Sequence, residues 1–305
     1  MGGPSSEREI SLKSGKYVYE SLRNLGLQVV AVDIQTNNSE EAIHLIKSNN
    51  LDCVFLALHG HFGEDGQIQQ ILDDLGIPYT GSGPLASRLA MDKVMSRKIF
   101  QSNGLNVPSY KVLDRLNKNK AHQYEDLNPP LVVKPATHGS SIGLSIVDDK
   151  DDLDKALDLA FSFDERIIIE EYIKGREMTI GILAEEALPV IEIIPKKRFF
   201  DFEAKYQPGM TEYVVPAQIE EEISERLKQT AYLAHQLLGC KDFSRVDMIL
   251  SQQGVPFVLE INSIPGLTPT SLLPKAAKAK GIEFDQLCLK LIELAYEKTK
   301  IKLGY

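Results

Sequence analysis

Four polar residues interrupt two apolar runs in the C-terminal part of the chain: Arg245 and Asp247 in the first, Glu260 and Asn262 in the second. Gln253-Gly254 between the runs predicts a two-residue hairpin loop. Folded there, Asp247 falls opposite Glu260, and Arg245 opposite Asn262. Side chains alternate with period two along a strand, so all four share one face. Two carboxylates and an amide oxygen on a half-buried face repel one another unless a cation joins them. Oxygen-only ligands suit Mg²⁺, which takes one or two protein carboxylates and completes its shell with substrate phosphates. A polar outer face on an exposed hairpin is the competing reading.

Other segments carry complementary chemistry. Residues 131–134 read as a strand ending in Lys134, followed by the turn Gly139-Ser140-Ser141-Ile142-Gly143. Backbone N–H groups and hydroxyls in such a turn cradle phosphate oxygens, with Lys134 adding charge. It is not a Walker loop, which ends in Gly-Lys-Ser/Thr before a helix, and a plain glycine-rich turn is the alternative. Residues 81–86 match the dinucleotide fingerprint in outline, but 101–105 lack its acidic residue. A helix-entry turn with Pro84 near the first position accounts for them better.

His59 and His61 close a strand, with Glu64 and Asp65 nearby. Two imidazoles at this spacing suit a metal, yet no third ligand is evident, so a substrate-contacting His59 is preferred over a metal pair or a solvated loop histidine. Glu7, Arg8 and Glu9 after Ser5-Ser6 read first as helix capping, and second as a carboxylate for an ammonium group. Ser271 and the backbone N–H groups after it make a helix N-terminus able to hold a carboxylate, an anion that Arg245 could share.

Periodicity predicts the scaffold for these groups. A helical stripe (Val18, Leu22, Leu25), a buried strand at 29–34, a helix at 40–47, a strand at 53–58 and a helical stripe (Ile68, Ile71, Leu72, Leu75) alternate over the first ~85 residues. This is the pattern of a doubly wound parallel sheet. Such a unit opens on a strand, and none precedes Gly2-Gly3. The expectation is unpaired backbone and exposed apolar surface costing several kcal/mol, roughly, with a start codon placed too late preferred over a fragment or a tolerant sheet. One helix is predicted over 86–103, a polar linker over 116–130, and strands at 144–147, 166–173, 177–183 and 188–194. A helix is predicted over 151–163, and residues 198–211 read as a mobile loop. An amphipathic helix from Ile219 to Leu238 stops at Gly239, and a C-terminal helix starts near Phe284.

The 305 residues, 43% hydrophobic and 25% charged, suit a soluble chain of two or three domains. A net charge of −9 argues against nucleic acid as the main partner. Cys53, Cys240 and Cys288 lie far apart in apolar segments, as free thiols of a reducing compartment do. No signal core or membrane-length apolar run is visible, so a cytoplasmic protein without a membrane partner is expected.

These motifs together resemble the D-alanine–D-alanine ligase family of the ATP-grasp superfamily, over nearly the whole chain. The resemblance rests on His59 to Gly66, Tyr79 to Gly83, Met91-Asp92-Lys93, Lys134-Pro135 with Gly139 to Gly143, and Glu203 to Tyr206. Arg245 to Asp247 and Glu260 to Gly266 complete it. It implies an ATP-grasp fold behind an N-terminal α/β domain lacking its first strand, with units at 1–85, 86–177 and 178–305. It implies ATP between the last two units, its phosphates on Lys93, Lys134, Lys205 and Ser141. Adenine would lie on Glu170, Tyr172 and Ile173, the ribose on Glu177, and two Mg²⁺ or Mn²⁺ ions on Asp247, Glu260 and Asn262. Glu7 and His59 would hold a first D-alanine, with Ser140 and Tyr206 linked by hydrogen bonds. Arg245 and Gly266 would face the tetrahedral oxyanion, and Ser271 and Leu272 the second substrate's carboxylate. The implied activity makes D-alanyl-D-alanine for peptidoglycan through an acyl phosphate, in a homodimer; the segment 198–211 would close over it. Tyr206 favours an amine as second substrate. D-lactate or D-serine ligases, or an idle ATP-binding relative, are the alternatives.

Overall fold

The structure is a computed structural model that describes residues 1–117, 127–196 and 209–303. Helices α1 (Arg8–Asn24), α2 (Ser39–Lys47) and α3 (Gln67–Leu75) surround the N-terminal part. The Asn38 side chain accepts from the Glu40 and Glu41 N–H groups, which starts α2 where its apolar stripe begins.

The segments predicted as buried strands behave differently. Residues 29–34 and 53–58 run extended, and their only named pairings are single parallel bridges, Gly2 to Ile34 and Val54 to Tyr79. Along 29–34 only Ile34 is buried, and Val30 is 54% exposed. The reason is visible in the pairing. Met1 accepts from the Ile34 N–H at 3.1 Å, and Gly3 donates to the Ile34 carbonyl at 2.6 Å, so the paired stretch is very short. Side chains serve the neighbouring segment instead: the Ser11 hydroxyl donates to the Ala57 carbonyl at 2.5 Å, and the Leu56 N–H donates to Thr80 Oγ1 at 3.0 Å. Leu56, Ala57 and Leu58 remain buried in a core with Ile68 and Leu72.

The single helix expected over 86–103 is two, α4 (Pro84–Met91) and α5 (Lys93–Ser102). Asp92 breaks them in an extended conformation and caps α5 by accepting from the Val94 and Met95 N–H groups. The break turns Lys93 and Arg97, four residues apart, to one buried face.

Two antiparallel sheets follow. The first has four strands, β1 (Tyr110–Asp114), β2 (Leu131–Pro135), β3 (Ser145–Val147) and β4 (Arg166–Glu171), in the order β1-β4-β2-β3. Helix α6 (Leu153–Phe161) covers one face of it. The second sheet holds β5 (Gly175–Leu183), β6 (Glu186–Ala187), β7 (Ile191–Pro195), β8 (Thr211–Val214), β9 (Phe243–Ser251) and β10 (Pro256–Asn262). Helix α7 (Glu221–Leu237) packs on one face, while α1, α8 (Leu272–Ala279) and α9 (Phe284–Leu303) pack on the other. Covered on both sides, β5 is buried from Met178 to Leu183.

The β9–β10 hairpin reaches the expected pairing by another route. The Ser251 N–H donates to the Val255 carbonyl, so three residues form the turn, with Gly254 at φ +74°. That shifts the register to Val258 opposite Met248. A bulge at Leu259 then restores Glu260 opposite Asp247 and Asn262 opposite Arg245.

Candidate active site

Two neighbouring cavities that share lining residues lie where these elements meet. The larger, about 440 Å³, is lined by Glu7, His59 and Ser140 on one side, and by Arg245, Gly266 and Ser271 on the other. Asn262 and Leu272 also face it. The smaller, about 140 Å³, is a slot walled by Val132, Ile146, Met178 and Leu259. Lys134, Ser141, Glu170, Tyr172, Ile173 and Glu177 line it, together with Asp247. Lys93 and Glu260 line both cavities and so mark the seam. The sequence-derived residues within the described chain are thus brought together. Lys205, Tyr206 and all of 198–211 before Gly209 lie outside the described residues; Thr211, expected in a loop, begins β8.

The slot ends in a buried charge cluster. Lys134 lies 2.8 Å from Glu170, and Arg97, fully buried on α5, forms an ion pair with the same carboxylate. Burial lowers the Lys134 pKa to about 8, against the pull of Glu170. Burial also works to raise the Glu170 pKa, but the Arg97 and Lys134 charges outweigh it and hold Glu170 below the usual range. Arg97 further donates to the Leu259 carbonyl at 3.3 Å, at the bulge preceding Glu260. Sequence reasoning missed Arg97. Its signal was a cation one helical turn from Lys93 in an otherwise apolar stripe.

On the hairpin face the carboxylates already have partners. Arg245 grips Asp247 through both oxygens, at 2.8 and 2.7 Å. Thr179 and Asn262 donate to the same carboxylate at 2.6 and 3.1 Å. Lys93 lies 3.2 Å from Glu260 and donates to the His138 carbonyl at 2.7 Å. The sequence offered Arg245 as a partner for the anion near Ser271; in the structure its guanidinium lies against Asp247. No cluster of three or more His, Cys, Asp or Glu side chains suited to a metal exists among the described residues. The donor set here is two carboxylates and an amide on one strand pair, which fits Mg²⁺ when phosphate oxygens complete the shell.

The glycine-rich turn is held in an uncommon shape. Ser140 and Ser141 have φ of +55° and +58°, a conformation concentrated at functional sites. Ser140 donates a hydrogen bond to Glu7, tying this turn to the start of α1. Glu7 is buried, and its N–H donates to Ser5 Oγ at 3.2 Å.

His59 is buried, with Nδ1 3.1 Å from the Ile264 carbonyl and Nε2 3.0 Å from Ser14 Oγ. Burial lowers its pKa and so favours the neutral ring. Both ring nitrogens are engaged, so His59 and His61 do not form a metal pair; His61 faces Asp65 at 3.6 Å and packs edge-on against His138. Glu64, also missed from the sequence, lines the larger cavity, and burial together with Glu7 raises its pKa to about 8. Gly266 sits against Ser271: a Cβ on it would meet Ser271 Oγ at 3.0 Å. Ser271 precedes α8 in an extended conformation without capping it, and its hydroxyl lies 2.8 Å from Thr268 Oγ1.

A slot with buried lysines, clasped between two antiparallel sheets and opening onto a face of oxygen ligands, defines an ATP-grasp enzyme. The family models described as "D-ala D-ala ligase N-terminus" and "D-ala D-ala ligase C-terminus" match residues 36–82 and 99–293. The chain is 45% identical to the D-alanine–D-alanine ligase of Citrifermentans bemidjiense, covering 97% of this chain and 94% of that one. It is 43% identical to that of Geotalea uraniireducens with the same coverage. Among solved structures it resembles the Bacillus anthracis D-alanine–D-alanine ligase, at TM-score 0.88 and 38% identity, covering 99% and 97% of the two chains. It also resembles the VanG D-Ala:D-Ser ligase of Enterococcus faecalis, at TM-score 0.82 and 32% identity, covering 97% of each chain. The chain belongs to the D-alanine–D-alanine ligase family.

Proposed function

We propose that the protein joins two D-alanine molecules into D-alanyl-D-alanine, using ATP, for peptidoglycan precursors. The observation that carries this reading is the seam. Lys93 and Glu260 belong both to the nucleotide slot and to the polar cavity, so a phosphoryl group leaving ATP emerges among groups suited to an amino acid.

Adenine lies in the slot, read by Glu170 and the backbone at Tyr172 and Ile173, with Glu177 at the ribose. Lys134, Lys93, Lys205 and the Ser141 turn neutralise the phosphates. Asp247, Glu260 and Asn262 are the residues that would hold Mg²⁺ or Mn²⁺, which when bound offsets phosphate charge. Glu7 receives the ammonium of the first D-alanine beside His59, with Ser140 and Tyr206 linked to that contact. The first substrate's carboxylate oxygen attacks the γ-phosphorus, ADP leaves, and an acyl phosphate remains. The second substrate's amine, its carboxylate at Ser271 and Leu272, attacks the acyl carbon. Arg245 and the Gly266 N–H donate to the oxyanion before phosphate departs. Arg245 must therefore release part of its grip on Asp247. We assign the three units 1–85, 86–177 and 178–305 to this cleft. A cytoplasmic homodimer completes the proposal; no helix among the described residues is long and apolar enough to cross a membrane.

The test is direct. Purified protein with Mg²⁺-ATP and D-alanine is assayed for phosphate and, by mass, for dipeptide. Equal release of both is expected. Phosphate without D-alanyl-D-alanine overturns the reading, and a preferred product with D-serine or D-lactate redirects it to those ligases.

A further inference from the structure

Gly266 lies in the loop 263–271 that joins β10 to α8, and side chains from the N-terminal part hold that loop on both sides of it. The Ile264 carbonyl can only accept, so the 3.1 Å contact requires His59 Nδ1 to carry the proton. In the neutral ring that burial favours, His59 Nε2 presents a lone pair, and Ser14 Oγ, 3.0 Å away, donates to it. Ser14 Oγ in turn accepts from the Leu267 N–H at 3.3 Å. Polarity fixes the whole chain: Leu267 N–H to Ser14 O–H to His59, and His59 N–H to the Ile264 carbonyl. Ser14 and Leu267 have no exposed surface and His59 only 4%, so these are buried bonds. Glu64 adds to the packing on this side, accepting from the Gly60 N–H, next to His59, at 2.6 Å.

Resting on the proposed role of the Gly266 N–H, we infer that Ser14 is a positioning residue for acyl transfer: through Leu267 and His59 it aims Gly266 at the oxyanion. The nucleotide slot takes no part in this chain, since none of Ser14, His59, Ile264 or Leu267 lines it. The two half-reactions therefore depend on Ser14 unequally. Without its hydroxyl, the acyl phosphate still forms, but amine attack slows and water competes. Water oxygen then bonds to the phosphorus of the acyl phosphate, the phosphorus–oxygen bond to the acyl group breaks, and the D-alanine carboxylate leaves with the electron pair, a route that needs no oxyanion donor. The water's proton passes to solvent, and D-alanine is regenerated.

The experiment compares wild-type protein with Ser14→Ala, measuring phosphate and dipeptide together under saturating ATP and D-alanine. Ser14→Ala is expected to lower the dipeptide kcat about ten- to a hundredfold, below the loss seen on deleting an oxyanion donor outright. The phosphate-to-dipeptide ratio should rise several-fold above one, roughly, while KM for ATP is unchanged. Ser14→Cys, which keeps a weak donor and acceptor in a similar volume, should restore the ratio in part. Calorimetric binding of ADP checks that each variant is folded, and if Ser14→Ala fails this check, Ser14→Cys against wild type carries the comparison. A ratio of one in a folded variant, whether the rate falls or not, overturns the inference. Phosphate without dipeptide from the wild-type protein instead overturns the proposed function, so the two failures are distinguishable.

Discussion

Lys134 allows a quantitative test of the nucleotide slot. Its ammonium is buried at the end of β2, 2.8 Å from Glu170, and burial brings its pKa down to about 8 from 10.5. The value of kcat/KM for ATP reports the free enzyme, so this titration should appear there. One unit below about pH 8 roughly ten of eleven molecules carry the proton, and one unit above roughly one of eleven does. If only the ammonium holds phosphate, kcat/KM for ATP should fall about tenfold between about pH 7 and about pH 9. Lys134→Arg keeps its charge throughout this range and should flatten the limb, at whatever absolute activity the larger side chain leaves. Stability moves in the opposite direction. The folded state binds this proton less tightly than the unfolded chain, so the contribution is fully present above the unfolded pKa and lost as pH falls through about 8. The shift of about 2.5 units corresponds to roughly 3 kcal/mol. The empty protein should therefore gain stability between about pH 8 and pH 10.5, starting where ATP affinity is being lost, measured by thermal unfolding without nucleotide. A flat wild-type profile, or the same limb surviving in Lys134→Arg, would refute the assignment of the phosphate contact to this lysine.

Three further outcomes are expected. Glu260→Gln, which removes a carboxylate from the seam facing Lys93 at 3.2 Å, should cut turnover by about two orders of magnitude or more with the thermal midpoint little changed; near-normal steady-state turnover would remove Glu260 from the metal set. Ser140→Ala breaks the link between the glycine-rich turn and Glu7, so KM for D-alanine should rise about tenfold while ADP affinity, read by calorimetry, stays; an unchanged KM would separate that contact from substrate binding. Lys298→Met leaves Asp242, 4% exposed, without its 2.6 Å ion pair and with only the Gly81 N–H. That should cost about 2–4 kcal/mol and lower the thermal midpoint by several degrees, while Asp242→Asn in the same background should recover part of the loss. Additive losses in the double variant would mean that the pair is not the anchor.

The sequence by itself singled out most of the groups that line the two cavities and most elements that carry them. Oxygen ligands two residues apart on paired strands, lysines at a strand end and a helix start, and a glycine- and serine-rich turn are local patterns, and local patterns survive without coordinates. Helices α2, α3 and α9 start where caps and stripes place them, and β9–β10 pairs as expected. Even there the loop length was misjudged, and the bulge at Leu259 corrected the register because Glu260 and Asn262 must return to the face of Asp247. Asp92 breaks a helix that apolar periodicity alone carries through, since capping and its 2.6 Å ion pair with Arg166 outweigh propensity at that position. Only the tertiary structure decided the partnerships. Arg97 meets Glu170 across 73 residues of sequence distance, Ser14 meets Leu267 across 253, and no short-range pattern encodes such meetings. It also decided charge states, because Lys134, Glu64 and His59 depart from their ordinary pKa values through burial. Burial arises where several elements pack together. A strand or helix specifies the direction of its own side chains, whereas the environment they enter is built by the rest of the chain.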